Sequence, residues 1–406
     1  MTEQMDRTGR ILIKALASSL EGRLLEDPGL SEKEWEEVMS LAALQSVLPL
    51  VFESVWPLLP EQLEKRCRAE VLTLVTGQVR AFEEFAGVYR ALSEKGIRPL
   101  VFKGAVCRSL YPQPDFRVSA DEDIYVRQED YMELHRALQD LGFTCTEPSF
   151  RSAHETLYRG RDLMIEGHWQ LFPEESALYG EMNSLSEGIL SRTEEMEIEG
   201  TAFLVPEPTD HMIYLLLHAM KHFVLAGVGI RQICDIALWG RRYSIDWDRV
   251  RDTVSSLGGL TFTEAILDAA AACFDMPLPR GFEKRDSSRL VLDALKGGTF
   301  GGSSRDRWNS ASLTMAGGDG ALPLLKAVFP SRTVMEVLYP WVRKSPLLVP
   351  VSWGVRLFGY AKRIGKEASP LNSIRIGRER SALLKEYGIS RQKGTFPYGE
   401  NKRRNE

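Results

Sequence analysis

Ile97-Arg98-Pro99-Leu100-Val101-Phe102-Lys103-Gly104 reads as a short apolar strand running directly into a glycine turn. Ala105 to Tyr111 then has the look of a short helix, stopped by Pro112 and Pro114. After a loop to Ala120, Asp121-Glu122-Asp123-Ile124-Tyr125-Val126 reads as a second strand. A helix from Gln128 to Leu141 follows, with Gly142 as its C-terminal stop. Phe143 to Tyr158 and Asp162 to Leu171 then form antiparallel strands around a turn at Gly160. The order β-α-β-α-β-β predicts a small mixed-sheet α+β core.

Outward from this core the texture is helical on both sides. Ile11, Leu12, Ala15, Leu16 and Leu20 recur at helical spacing. Ser31 to Glu34 has the Ser-x-x-Glu capping-box pattern ahead of Trp35, Val38, Met39, Leu41 and Leu44, and a third helix is expected from Arg68 to Lys95, ending at Gly96. Beyond the core, Thr209 is the expected N-cap of a helix carrying Met212, Leu215, Leu216, Ala219 and Phe223. Further helices are expected over 229–241, 247–256 and 261–274, and an interrupted one over 322–363, broken by Pro330, Pro340, Pro346 and Pro350. The resulting division is a helical region 1–95, a core 96–205, a helical domain 206–296, a flexible Gly- and Ser-rich connection 297–320, a C-terminal helical segment 321–368 and a basic, partly disordered tail 369–406.

Composition excludes more than it identifies. The chain has 406 residues, 44% hydrophobic and 26% charged, which suits a globular protein of two or three units and not a disordered or fibrous one. No window holds 18 uninterrupted apolar residues, so no integral membrane segment is expected. The start lacks the basic-then-apolar order of an export signal, and a cytoplasmic protein follows. Five scattered cysteines without metal-ligand spacing predict neither disulfides nor structural zinc. A net charge of -5 gives no global attraction to nucleic acid, although 13 basic residues stand against 5 acidic ones from Arg356 to Glu406.

The chemistry is expected at the second strand. Nucleotidyl transfer needs two divalent metals about 4 Å apart with carboxylates bridging them, and magnesium prefers hard oxygen ligands. Alternate residues of a strand point to one side, so Asp121 and Asp123 present both carboxylates to one pocket while Glu122 faces away. With 56 acids in the chain, an acid-x-acid triple arises by chance about eight times, so spacing alone decides nothing. The context adds weight: a strand, Lys103-Gly104, a helix start and Arg117 all precede the acidic strand. A helix N-terminus with free N–H groups and a glycine is a phosphate cradle, and Lys103 and Arg117 supply positive charge for a triphosphate.

Lys103-Gly104-Ala105, Leu110-Tyr111-Pro112, Arg117 and the Asp121 to Val126 strand resemble the uncharacterised bacterial nucleotidyltransferases of the polymerase-beta-like superfamily. The resemblance continues through Leu141-Gly142-Phe143, Ile165-Glu166-Gly167-His168-Trp169 and Arg231-Gln232-Ile233-Cys234-Asp235, and covers residues 10 to 365. It implies magnesium-dependent transfer of a nucleoside monophosphate from a nucleoside triphosphate, ATP being the first candidate, with release of pyrophosphate. Two Mg2+ ions are implied, with Mn2+ as the substitute. The acceptor is a hydroxyl or phosphate of a small molecule, a glycan precursor, RNA or a protein. The resemblance also implies a third carboxylate on a later strand, where Glu166 matches best and Asp162 is the runner-up. Glu122 departs from the family, which places an apolar residue between the two aspartates. An edge position or a basic partner for Glu122 would preserve their geometry, whereas unpaired burial would overturn the register.

Other residues carry two readings each. His168 shares the Glu166 face at two-residue spacing and either contacts phosphate or packs beside Trp169. His154 with Glu155 is a weaker strand candidate. His211, His218 and His222 share one helical face, and either line the groove opposite the core or pack between helices; three histidines do not complete a zinc site. Arg231 most simply pairs with Asp235 four residues on, and alternatively reaches the triphosphate. The stretch 347–366 has the composition of a membrane-surface helix, but its proline flanks favour packing on the body. Two rivals to the transferase stand beside it: an inactive nucleotide-binding or protein-interaction module of the same fold, and an RNA-modifying enzyme using the basic tail.

Overall fold

A computed structural model describes residues 5–145, 155–172, 180–299, 306–307, 310, 329–361 and 370–389. Four helices come first: α1 (Arg7–Leu20), α2 (Glu32–Leu44), α3 (Leu48–Val55) and α4 (Glu61–Glu94). The expected capping box opens α2, with Ser31 and Glu34 bonded reciprocally. α4 begins before the expected Arg68, because Pro60 sets its entry and the i,i+4 pairs Glu61–Lys65 and Glu64–Arg68 support a first turn with few apolar residues. Its later part lies on the sheet. Phe85 stacks on Phe203 with ring centroids 5.4 Å apart. The Tyr89 hydroxyl donates to the Pro99 carbonyl at 3.0 Å and accepts the Leu204 N–H at 2.8 Å.

The predicted α+β core is present, with a larger sheet than expected. β1 (Leu100–Phe102) leads into the short helix α5 (Gly104–Arg108), then β2 (Glu122–Tyr125) and α6 (Tyr131–Asp140). Gly142, at φ 90°, reverses the chain after α6 in the left-handed region open to glycine. β3 (Thr144–Cys145) and β4 (Glu155–Arg159) replace the single long strand expected over 143–158. They pair antiparallel, Thr144 opposite Arg159. His154 lies outside the described residues. β5 (Met164–His168) returns antiparallel to β4 as expected.

After α7 (Ser186–Ser191) comes a hairpin that the sequence reading lacked, β6 (Thr193–Ile198) and β7 (Thr201–Pro206). Glu199 and Gly200 both have positive φ, which suits a tight two-residue turn between right-twisted strands. β7 runs parallel to β1, giving a seven-stranded mixed sheet of order β3-β4-β5-β2-β1-β7-β6. β2 is therefore central and buried along its length, between antiparallel β1 and parallel β5.

Helices α8 (Pro208–Leu225), α9 (Ile230–Arg242), α10 (Trp247–Ser256), α11 (Leu260–Phe274) and α12 (Ser288–Gly297) pack beside the sheet. Pro208, with its fixed φ, takes the first position of α8. The expected cap Thr209 instead lies inside that turn, where its hydroxyl accepts the Asp246 N–H. Most of the expected connection 297–320 lies outside the described residues.

The C-terminal segments differ from expectation. In the helix Val349–Ala361, Val349 and Trp353 pack with Met335 and Val342 in a small cluster of their own, separate from the main core. Leu347, Val351, Val355 and Phe358 are exposed, so that stretch does not bury its apolar residues on the body as a whole. In the expected tail, Pro370–Glu386 is a helix. Leu383, Leu384 and Tyr387 join the core, and the buried Arg380 pairs with Asp293 and donates to the Phe223 carbonyl. Net charge had obscured these apolar positions; residues 390–406 lie outside the described residues. Among the described residues, no helix is long and apolar enough to cross a membrane.

Candidate active site

The pleat of β2 sends Asp123 and Glu122 to opposite faces. Asp123, 2% exposed, lies directly across from Glu166 on the parallel neighbour β5. His168, two residues further along β5 and therefore on the same face, brings Nε2 to 3.1 Å from Asp123 Oδ1 and 3.9 Å from Glu166 Oε2. Its Nδ1 lies 3.4 Å from Oε2 of Glu155, the cross-strand partner of His168 on β4. Asp121, half-buried just before β2, is close enough to Asp123 for that charge, after burial, to raise its pKa, so it belongs to the same group. Asp121, Asp123, Glu166 and His168 are thus brought together. Asp162 is not: it sits in the exposed turn before β5, against Arg161.

Lys103 answers this acidic group. Its Nζ lies 2.9 Å from Asp123 Oδ2 and 2.9 Å from His218 Nε2. Its backbone has φ 47° and ψ -104°, a conformation that a residue with a Cβ holds only when its surroundings impose it. The anchor is His211, whose Nε2 accepts the Lys103 N–H at 3.1 Å. Burial pushes the His211 pKa down to about 3, so the ring is neutral and free to accept. His222 Nε2 lies 3.0 Å from His218 Nε2, completing the α8 face on which the three histidines were expected.

The electrostatics are those of a site short of positive charge. Burial, then the charges of Glu155, Asp121 and Asp123, push Glu166 well above the ordinary carboxylate range. Burial and Asp123 raise Asp121. Burial also acts upward on Asp123, but Lys103 and His168 outweigh it and hold this carboxyl below its usual value. Burial opposes the charge on Lys103, yet Asp123, Asp121 and Glu166 keep it above its ordinary value. An ionised Asp123 beside a charged Lys103 results.

The opposite face of β2 corrects the expected phosphate cradle. Glu122 is buried, not at an edge and in no ion pair, although Arg117 is near enough to favour its charge, and its Oε2 accepts the Ala105 N–H at 2.7 Å. The start of α5 is therefore occupied by a side chain of the protein itself, and the expected register survives because Glu122 finds a backbone partner. Gly104 is required there: a Cβ would overlap Oε2 and come within 2.5 Å of Glu122 Cδ. Burial pushes Glu122 up to about 7.

Arg117 is also committed elsewhere. Its Nε and Nη2 donate to the two oxygens of Asp235 at 2.8 and 2.7 Å, and the Tyr111 hydroxyl donates to the same carboxylate at 2.8 Å. A planar fork matched to a carboxylate outcompetes the intrahelical pair expected between Arg231 and Asp235. Arg117 also donates to the Gly104 carbonyl at 3.3 Å, so it braces the turn. Arg231 is buried near Asp121, Arg117 and Asp235, and burial followed by Arg117 lowers its pKa. A cavity of about 260 Å³ opens between Gly77, Gln78 and Phe82 of α4 and a wall formed by Gly104, Arg117, Asp121 and Glu122.

Asp123, Glu166 and His168 each offer one atom, all within 4.8 Å of one another, in a group able to hold a metal ion. The donor chemistry fits a divalent cation, which would relieve the mutual repulsion that raises Glu166 and Asp121. The family described as uncharacterised nucleotidyltransferase matches residues 31–275. The chain belongs to that family. All the residues of the acidic group and of the Lys103 and Arg117 networks fall within the matched residues. The chain also aligns with the crystal structure of an antigenic nucleotidyltransferase-like protein from Paracoccidioides brasiliensis, at 13% identity over 49% of this chain and 96% of that one, with a TM-score of 0.31. That likeness is too slight to bear on the site. No curated protein matches the chain.

Proposed function

We propose that this protein moves a nucleoside monophosphate from a nucleoside triphosphate to a hydroxyl or phosphate acceptor in the cytoplasm. The carrying observation is the in-register pairing of Asp123 with Glu166, with Asp121 beside them and Lys103 on Asp123. Asp121, Asp123 and Glu166 would hold Mg2+ or Mn2+, which supplies charge neutralisation at the phosphates and activation of the attacking oxygen. An acceptor oxygen forms a bond to the α-phosphorus, the bond to the bridging oxygen breaks, and pyrophosphate leaves with the electron pair. Glu166, opposite Asp123 in the sheet, would complete the carboxylates around the metal and help draw the proton from the acceptor oxygen. Lys103 and Arg231 face the triphosphate. Gly104 and Arg117 act one step back: Arg117, held by Asp235 and Tyr111, fixes the turn from which Lys103 projects.

Glu122 at the start of α5 and Arg117 on Asp235 favour a second reading, a module that binds nucleotide without transferring it. Calorimetry with each nucleoside triphosphate, with and without Mg2+, separates the two. The transferase requires tight binding that depends on the metal and is lost in Asp121→Asn and Asp123→Asn. Binding indifferent to the metal and to both substitutions supports the module.

A further inference from the structure

His168 occupies a place that a phosphate contact does not need. It is 4% exposed, its Nδ1 lies 3.4 Å from Glu155 Oε2 without a formed hydrogen bond between the two atoms, and its Nε2 lies 3.1 Å from Asp123 Oδ1 and 3.9 Å from Glu166 Oε2. Glu155 and His168 are cross-strand partners, so the sheet itself sets the carboxylate beside the ring. A carboxylate that holds one imidazole nitrogen while the other faces metal-ligating oxygens is the recurrent support of a metal-bound histidine. A nitrogen donor in an otherwise oxygen site changes which ion it prefers. Magnesium takes oxygen ligands and gives up water reluctantly, whereas imidazole suits first-row transition metals.

We propose that His168 is itself a metal ligand, oriented by Glu155, and that Asp123, Glu166 and His168 form a site selective for Mn2+ over Mg2+. This rests on the reading of the acidic group as a metal site and specifies its ion; it assigns Glu155 a positioning role. His168 passes from the triphosphate contact expected from sequence to the metal's own shell.

Electron paramagnetic resonance on the full chain tests it, using Mn2+ alone as the probe. Titration should show Mn2+ bound at least about tenfold more tightly than Mg2+ competes for it. The bound ion should carry nitrogen-14 modulation from an imidazole. His168→Leu should abolish that modulation and weaken Mn2+ by about 10–100-fold while leaving Mg2+ competition little changed, and Glu155→Gln should weaken Mn2+ by about tenfold. His218→Asn should retain the modulation, which identifies the histidine responsible. Circular dichroism of each metal-free variant checks that it folds, and the wild-type modulation stands as a test without any variant. Equal affinities for the two ions without nitrogen modulation would overturn the proposal and leave the carboxylate metal site standing. Modulation lost with His218 but kept without His168 would overturn the ligand assignment. If wild type binds neither ion, this inference and the metal site fall together.

Discussion

Gly104→Ala isolates the contact on which the turn before α5 depends. The added Cβ would overlap Oε2 of Glu122 and lie 2.5 Å from its Cδ, so the Glu122 carboxylate must leave the Ala105 N–H. Overpacking of a close-fitting interior costs about 1–3 kcal/mol, and a lost hydrogen bond to a charged group about 1.5–3 kcal/mol. Together they predict a loss of about 3–5 kcal/mol, read as a shift in the urea midpoint at constant slope. The control is the same substitution in a Glu122→Ala background, which removes the three atoms nearest to the added Cβ. There it should cost under about 1 kcal/mol, since alanine is favoured over glycine in a helix. The coupling between the two sites should therefore reach about 2 kcal/mol or more. An equal cost in both backgrounds would refute the claim that Glu122 and Gly104 define this turn.

Glu122 also predicts a pH dependence. Its carboxyl titrates near 4.5 when unfolded and near 7 in the fold, so the native state binds more protons between those values and stability falls as pH rises through that window. Glu122→Gln keeps an acceptor for Ala105 and removes the ionisation; it should stabilise by about 1–3 kcal/mol at pH 8 and change little at pH 4, as measured by denaturation at the two pH values. Arg117→Met takes the ion-pair partner from the buried Asp235, which keeps the Tyr111 hydroxyl, and should cost about 3–5 kcal/mol, whereas Arg117→Met combined with Asp235→Leu should cost less than the single change. A double variant as unstable as the sum of the singles would contradict that pairing.

What was legible in the sequence was whatever local periodicity decides. The two-residue pleat alone separated Asp123 from Glu122 within β2 and put Glu166 with His168 within β5, and Asp121 continues the same alternation just ahead of β2. The Glu199-Gly200 hairpin went unread although Met196 and Ile198 alternate with glutamates ahead of the glycine turn, because the strand after it, Ala202 to Pro206, is an unbroken apolar run. Long-range partners were not. The Arg117 fork closes on Asp235, 118 residues away, and no local pattern distinguishes that carboxylate from Glu122 or Asp115. Glu122 looked like an error in a strand; its explanation is a backbone N–H brought to it by the β1–α5 turn. The His211 and His218 contacts with Lys103 likewise depend on how α8 docks, although their common helical face was visible at the spacing i and i+7.

Transfer of an α-phosphoryl label tests the central claim most directly. Wild-type chain incubated with α-labelled nucleoside triphosphates, a divalent ion and cell extract should leave label on one acceptor and release pyrophosphate; the Asp121→Asn, Asp123→Asn double variant should leave none. Label arriving equally with that double variant would contradict the account.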